Sequence, residues 1–335
     1  MAYYHVTVAG ASAKTGADWA NAMGMAEFET SIEGGGAQAV AAGDIYFVAG
    51  GTYTFTANII CTTAGTATAP ISVIGVKAST TNEGAAVVYA DHAFGTDRPL
   101  FAGGAYYFGM NAIHHRAYNI RITSTATQAF ITGAYAVAVN VKAENTSTGY
   151  GLLSNGGASQ YISVEGISTG AGQGIRANGA ACDYLYCWAH GPGSSGYCFV
   201  VNQYSVKLIN CVVSGTGTKA SIGIQAAAKY NIMALGCTVY NVSTGFNLTT
   251  TYASTFLNNI VDTCTTAFDA TAAGYGNYYD YNNIYAETTK YGQADQQGPN
   301  DTAVDPAFTT PGTDFSLGVG SACIDAGLAM TLGVG

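Results

Sequence analysis

Charge is scarce in this chain. Asp, Glu, Lys and Arg make up 9% of its 335 residues, with eleven cations against twenty acids and a formal net charge of −9. The cations are scattered, whereas phosphate-backbone binding rests on clustered ones, so nucleic acid is not an expected partner. No run reaches the roughly 18 apolar residues of a membrane span. The opening Met1-Ala-Tyr-Tyr-His-Val-Thr-Val8 lacks the basic and apolar segments of a signal peptide. The chain is therefore expected to be made in the cytosol and to leave, if it does, by lysis or inside a particle. Runs of ten or more residues at helical spacing are missing from its body, as is the leucine and asparagine pattern of a leucine-rich repeat.

Apolar and small residues fill the space that charge leaves. Hydrophobic residues make up 48% of the chain and glycine supplies 44 positions. That is enough for a large core and unlike a disordered chain, which pairs low hydrophobicity with high charge. So little charge also points to lateral surface covered by a partner or by further copies. Of the eight cysteines, most lie inside repeats, where a thiol acts as a small hydrophobe rather than as part of a disulfide framework. Cys182, Cys187, His190 and Cys198 could be read as a zinc set. They lack the close pairing of structural zinc ligands, so buried thiols beside a corner histidine is the preferred reading. No cofactor is expected.

The body of the chain repeats. A small residue followed by an apolar one recurs at Ala129-Phe130, Gly151-Leu152, Gly174-Ile175, Gly196-Tyr197, Gly223-Ile224, Gly245-Phe246 and Ala267-Phe268, in steps of 22, 23, 22, 27, 22 and 22 residues. Short β-rich runs with period-two alternation precede these pairs, among them Tyr118–Ile122, Val137–Val141, Tyr161–Val164 and Phe256–Ile260. A period near 22 with two or three short strands per turn predicts a parallel β-helix. Roughly ten coils at about 4.8 Å each would make a rod of about 50 Å. The long step is expected to reflect extra residues bulging at Ser214–Ala220. Ile167, Trp188, Cys211, Cys237 and Ile260 are expected to share one inward column.

The ends are distinctive. Met25, Phe28 and Ile32 have helical spacing, which predicts a short amphipathic helix plugging the open strand edges of the first coil. Gly43-Asp-Ile-Tyr-Phe-Val-Ala-Gly-Gly-Thr-Tyr53 reads as the first strand and corner. The tail carries Asp305-Pro-Ala-Phe308, Asp314-Phe-Ser-Leu317 and Gly320-Ser-Ala-Cys-Ile-Asp325-Ala-Gly327, after a late motif Tyr281-Asn-Asn-Ile-Tyr285. In these segments the chain resembles right-handed parallel β-helix proteins of the pectate-lyase-like superfamily. The resemblance implies one all-β domain over 1–335, with an N-terminal strand and capping helix in 1–40, coils in 41–290 and a closing segment in 291–335. The superfamily spans polysaccharide lyases, glycoside hydrolases, adhesins and phage tail spikes, so the fold leaves the activity open.

A lyase of that superfamily needs an acid-rich calcium site and a base, and a hydrolase needs paired acids. The acids of the repeats, Glu144, Glu165, Asp183, Asp262 and Asp269, do not fall into one column. Asp262 and Asp269 share a coil, and Arg176 is the one arginine after residue 121. These three are the catalytic candidates, with a solvated corner pair and a surface arginine as the plainer readings. His114-His115-Arg116 is expected to be a solvated corner. The position after each repeat pair reads Ile131, Leu153, Arg176, Cys198, Gln225, Asn247 and Asp269. With Asn155 and Asn178 nearby, Gln225, Asn247 and Asp269 form a strip suited to sugar hydroxyls, or else an amide ladder that stabilises coil stacking. The expectation is a non-enzymatic structural or adhesive β-helix on a particle, such as a phage capsid decoration or fibre. Its partners would be other virion proteins and further copies, with a trimer implied by the superfamily, and it would contact surface polysaccharide. The alternatives are a tail-spike depolymerase acting as a lyase or hydrolase, and a carbohydrate-binding module.

Overall fold

The computed structural model describes residues 1–77, 95–191, 196–215, 219–226, 230–249, 251–270, 276–292 and 297–328. Each coil contributes one strand to each of three parallel walls. The first wall has eleven strands, from Tyr3–Val6 to Tyr278–Asp280; the second has ten, from Thr52–Thr54 to Asn283–Tyr285; the third has ten, from Ile59–Cys61 to Thr289–Tyr291. Phe130, Leu152, Ile175, Phe199, Ile224, Phe246 and Phe268 are paired in succession along the third wall. The 138 residues from Phe130 to Phe268 cover six coils, which is 23 per coil.

This pairing corrects the repeat. Phe199, not Tyr197, aligns with Ile175 and Ile224, so the small–apolar pair of that coil is Cys198-Phe199. The steps around it become 24 and 25 residues rather than 22 and 27. At other coils a Cβ on Gly151, Gly174 or Gly245 would lie 2.6 Å from a backbone atom, whereas at this coil Cys198 fits and its thiol donates to the Ser214 carbonyl at 3.3 Å. Of the expected bulge at Ser214–Ala220, Ser214 and Gly215 end a second-wall strand and Ala220 begins a third-wall strand, while residues 216–218 lie outside the described residues.

Strands are short because the corners are tight. Between the first and second walls one residue takes the left-handed conformation (Asn119, Asn140, Ser163, Tyr186, Asn210, Gly236, Asn258 and Tyr281, φ 51–63°), and a buried residue follows it. Asparagine and glycine suit this geometry, since other side chains strain there by about 1–2 kcal/mol. The runs Tyr118–Ile122 and Phe256–Ile260 are thus not single strands but two strands bent at Asn119 and Asn258. The bend also shifts parity. Ile167, Trp188 and Ile260 face outward, while Cys211 and Cys237 stay inside. The true inward column of this corner is Val141, Val164, Cys187, Cys211, Cys237, Asn259 and Asn282, buried throughout.

Core volume is shared among the walls. In the second wall the inward side chain shrinks from Phe101 and Ile122 to Ala143, Gly166 and Ala189, then grows again to Val213 and Ile284. The minimum coincides with Tyr161 and Tyr184 of the first wall, whose buried rings stack at 4.6 Å. A Cβ at Gly166 would lie 2.4 Å from Ile175 Cγ1. The helix Met25–Ile32 closes the N-terminal end, with Phe28 buried against Tyr46 and Phe101 at 5.4 and 5.9 Å. At the far end Asn259 Nδ2 donates to Asn282 Oδ1 (2.9 Å), and Asp301 accepts from the Asn282 N–H (2.7 Å). Gly166→Ala is expected to destabilise by about 1–3 kcal/mol through overpacking, read as a lower thermal midpoint. An unchanged midpoint would show that the core relaxes around Ile175.

Candidate functional site

The third wall presents two outward columns side by side. At the strand starts, register pairs Gln128, Tyr150, Gln173 and Tyr197 on successive coils, an alternation of amide and aromatic ring. Three positions on run Leu153, Arg176, Val200, Gln225, Asn247 and Asp269. Gln225, Asn247 and Asp269 are therefore true neighbours, as the sequence suggested. Val200 takes the place expected for Cys198, which points into the core.

Arg176 is built into this face. Its Nη1 donates to Tyr150 Oη (2.6 Å), its Nε to Asn178 Oδ1 (3.0 Å), and its guanidinium lies 5.0 Å from the Tyr150 ring centre. Asn202, which no residue pattern in the sequence marks, turns its amide oxygen to Arg176, accepting from Nε (2.9 Å) and Nη2 (3.0 Å). Asn155 lies one coil before Asn178 and is exposed. Beside Tyr150 a groove of about 500 Å³ runs along the corner into the third wall, lined by Tyr107, Asn58, Thr125, Thr127, Ser147 and Thr148. Flat rings, amides and hydroxyls in one groove are the groups that grip a sugar, whose faces are apolar and whose rim is polar.

The remaining candidates do not converge. Asp262 ends a second-wall strand and is 7% exposed, while Asp269 faces outward from the third wall, so the two share a coil but not a face. Burial and the charge of Asp305 push the Asp262 carboxyl up. Cys182 and Cys187 sit at two different corners, Cys198 lies inside the third wall and His190 faces outward from the second. Each of these thiols donates to a backbone carbonyl instead, such as Cys187 to Tyr161 and Cys198 to Ser214, both at 3.3 Å. Among the described residues no group of three or more His, Cys, Asp and Glu is placed to hold a metal. His114-His115-Arg116 is not a uniform solvated corner. His115 is buried, with Nε2 at 2.7 Å from the Thr63 carbonyl, and burial lowers its pKa.

The second wall holds a polar network that the sequence reading missed. Lys142 Nζ lies 3.2 Å from Glu165, and His190 Nε2 lies 3.3 Å from Glu165 Oε1. The His190 ring rests 4.2 Å from Trp188, whose Nε1 donates to Ser214 Oγ. Trp188 in turn meets Phe315 of the tail hairpin, Phe308–Thr310 with Asp314–Leu317. Lys142, Glu165 and Trp188 start successive strands, and His190 lies two places beyond Trp188. The correct register is therefore the signal that would have found them. Burial works to raise the Glu165 carboxyl, but the close approach of His190 and the charge of Lys142 outweigh it and hold the group below its ordinary value.

Glu287 behaves oppositely. Burial, aided by Asp262, pushes its carboxyl up to about 8 against the Cys264 N–H. A group raised on folding contributes stability that is complete below its unfolded value and is lost as pH rises toward the folded one. The thermal midpoint should therefore fall between about pH 5 and pH 8. Glu287→Gln should flatten that slope, and an identical slope in the variant would assign it to another group.

No protein-family model and no curated protein matches the chain. Solved structures do match it. A pectate lyase, Pel9A, superposes with a TM-score of 0.60 at 14% identity, over 98% of this chain and 92% of that one. A rhamnogalacturonan lyase gives 0.51 at 12% identity, over 92% and 90%. A tailspike protein from Escherichia coli O157:H7 bacteriophage CAB120 gives 0.41 at 8%, over 73% and 39%. Identities this low speak to the fold, not to the chemistry. The chain is a right-handed parallel β-helix protein with the pectate-lyase-like fold.

Proposed function

We propose that this chain is a structural, adhesive β-helix that binds an extended polysaccharide along its third wall, carried on a particle such as a phage virion. The observation that supports the binding is the face itself. Tyr107 and Tyr150 flank the groove. The amide and tyrosine column continues from it, and the Arg176, Gln225, Asn247, Asp269 column lies alongside. A glycan laid along the rod would meet a polar or aromatic group at each step of about 4.8 Å. Hydrolysis by paired carboxyl groups needs them within about 5–9.5 Å. Among the described residues, these two columns carry one carboxylate, Asp269. Binding without cleavage is the reading this favours.

A second observation favours self-association. The outward positions of the first wall form a half-buried apolar row, Val139, Ile162, Leu185 and Ile209, on consecutive paired strands, continued by Leu235 and Leu257, which are already buried. A straight row at strand spacing is matched by the same row on a second copy of the chain, whose repeat is identical. Side-by-side copies would also bring several glycan faces together, and avidity is what an adhesin needs.

Tyr150→Ala should weaken retention of bacterial surface polysaccharide at least about tenfold, with the fold intact by circular dichroism. The wild type should release neither reducing nor unsaturated ends, and release of either would establish a depolymerase instead. Sedimentation should show an oligomer that Leu185→Glu with Ile209→Glu dissociates; a monomeric wild type would remove the self-association reading. Proteomics of purified particles from the source should find this chain at high copy, and its absence would separate the glycan site from any particle role.

A further inference from the structure

The corner joining the third wall to the first carries aromatic rings on either side of a bare step. Two neighbouring columns run along it. His114, Tyr135, Ala158, Ala181 and Ser205 each adopt the left-handed conformation, with φ 54–56°. The N–H of each donates to a residue one coil on, in the order Ala134, Gly157, Ala180, Tyr204 and Tyr230. Tyr204 stacks on Tyr230 of the following coil, with centroids 5.0 Å and planes 3° apart. Tyr135 stacks on His114 of the preceding coil at 4.8 Å and 17°.

Both stacks run along the rod, and the ring face of each that is turned from its stacking partner borders the same interval, from adjacent columns. Tyr135 looks forward over Ala158, and Tyr204 looks back over Ala180. The rings are 52% and 43% exposed. Three inter-coil steps of about 4.8 Å place the ring planes about 14 Å apart. The floor between them, residues 156–158 and 179–181, consists of glycine and alanine. It cannot be widened cheaply, since a Cβ at Gly157 would lie 2.7 Å from the Ala180 carbonyl oxygen. Asn178 and Asn202, both accepting from the Arg176 guanidinium, border it two residues upstream of Ala180 and Tyr204.

We infer that this corner is a seat for a neutral glycan end or branch, separate from the third-wall groove. One sugar ring lies flat on Tyr204 with its hydroxyl rim toward Asn178 and Asn202, and Tyr135 offers a second platform. The reasons are chemical. Stacking rewards the apolar C–H face of a sugar against an aromatic face. The floor is uncharged, the nearby Arg176 guanidinium is already engaged by Tyr150 and Asn178, and a chain of net charge −9 opposes a phosphate backbone. A ring flat on Tyr204 stands across the rod axis, so the glycan here crosses the rod, whereas the groove accepts a chain running along it. The seat rests on the carbohydrate-binding reading and shares Asn178 and Asn202 with the edge of the third-wall face, but its platforms, Tyr204 and Tyr135, are its own.

The test is titration calorimetry of the full chain with cellotriose, maltotriose and chitotriose, beside Tyr204→Ala, Tyr204→Phe, Ala180→Leu and Tyr150→Ala. At least one trisaccharide should bind the wild type. Tyr204→Ala removes the platform and Ala180→Leu covers it, so each should weaken binding about tenfold or more, while Tyr204→Phe should bind as the wild type does and Tyr150→Ala should retain a binding event that adding Tyr204→Ala removes. Thermal midpoints like that of the wild type would show that both losses are local. The inference fails if no trisaccharide binds, or if Tyr204→Ala and Ala180→Leu bind normally. It also fails if Tyr150→Ala alone abolishes trisaccharide binding, a result that would place the sugar in the groove and leave the proposed function standing. Loss at the seat together with unaltered polysaccharide retention in Tyr150→Ala would instead remove the groove reading and keep the seat.

Discussion

Hydrogen bonding between parallel strands of successive coils is the constraint on which everything else in this molecule depends. Each coil must lie about 4.8 Å above the last over its whole perimeter, so every residue has its upper and lower neighbours assigned by register. Volume must then balance within a coil, and it does. The first wall inserts Tyr161 and Tyr184 at the level where the second wall thins to Gly166 and Ala189. Corners must change direction within one or two residues, which is why left-handed residues recur at the same two places in the coils from His114 to Tyr281. Surface chemistry is bound by the same rule, because a binding face can be written only as columns.

The period, the parallel β-helix and the plugging helix could be read from the sequence because they rest on spacing and composition alone. Register within the coil was harder. Gly196-Tyr197 and Cys198-Phe199 both satisfy a small-then-apolar rule two residues apart, and only pairing with Ile175 and Ile224 chooses between them. The inward column failed for a related reason. A left-handed residue such as Ser163 or Asn258 inserts one position at the corner, so simple alternation carried through it changes face. Ile167 and Trp188 were assigned to the core by counting across that bend.

The surface strip shows both outcomes. Gln225, Asn247 and Asp269 lie where no corner intervenes between them and the repeat pair, and they emerge as neighbours. Tyr107, Tyr150 and Asn202 escaped notice, since no residue type marks them and their role comes from what lies one coil away. Lys142, Glu165 and His190 are the same case, a charged group assembled from three coils. The four-residue Cys and His set illustrates the reverse. Closeness in sequence within a single coil scattered its members over two corners and two walls, because a coil turns through its whole perimeter in about 23 residues.

The inward column between the first and second walls passes from valine through three cysteines to Asn259 and Asn282, and ends on Asp301. Coils that resemble one another could exchange places: a strand slipped by a whole coil keeps its faces and most of its hydrogen bonds, so the threading of such a rod is nearly degenerate. Valine and cysteine would accept the slip. The buried amides would not, since Asn259 is satisfied by Asn282 and by the Ala234 carbonyl, and Asn282 by Asp301 and the Phe256 carbonyl. Displaced by one coil, each would bury unpaired polar groups at about 1–3 kcal/mol apiece. That short polar stretch acts as an index mark, counting the coils from one end so that a repetitive chain threads in one way.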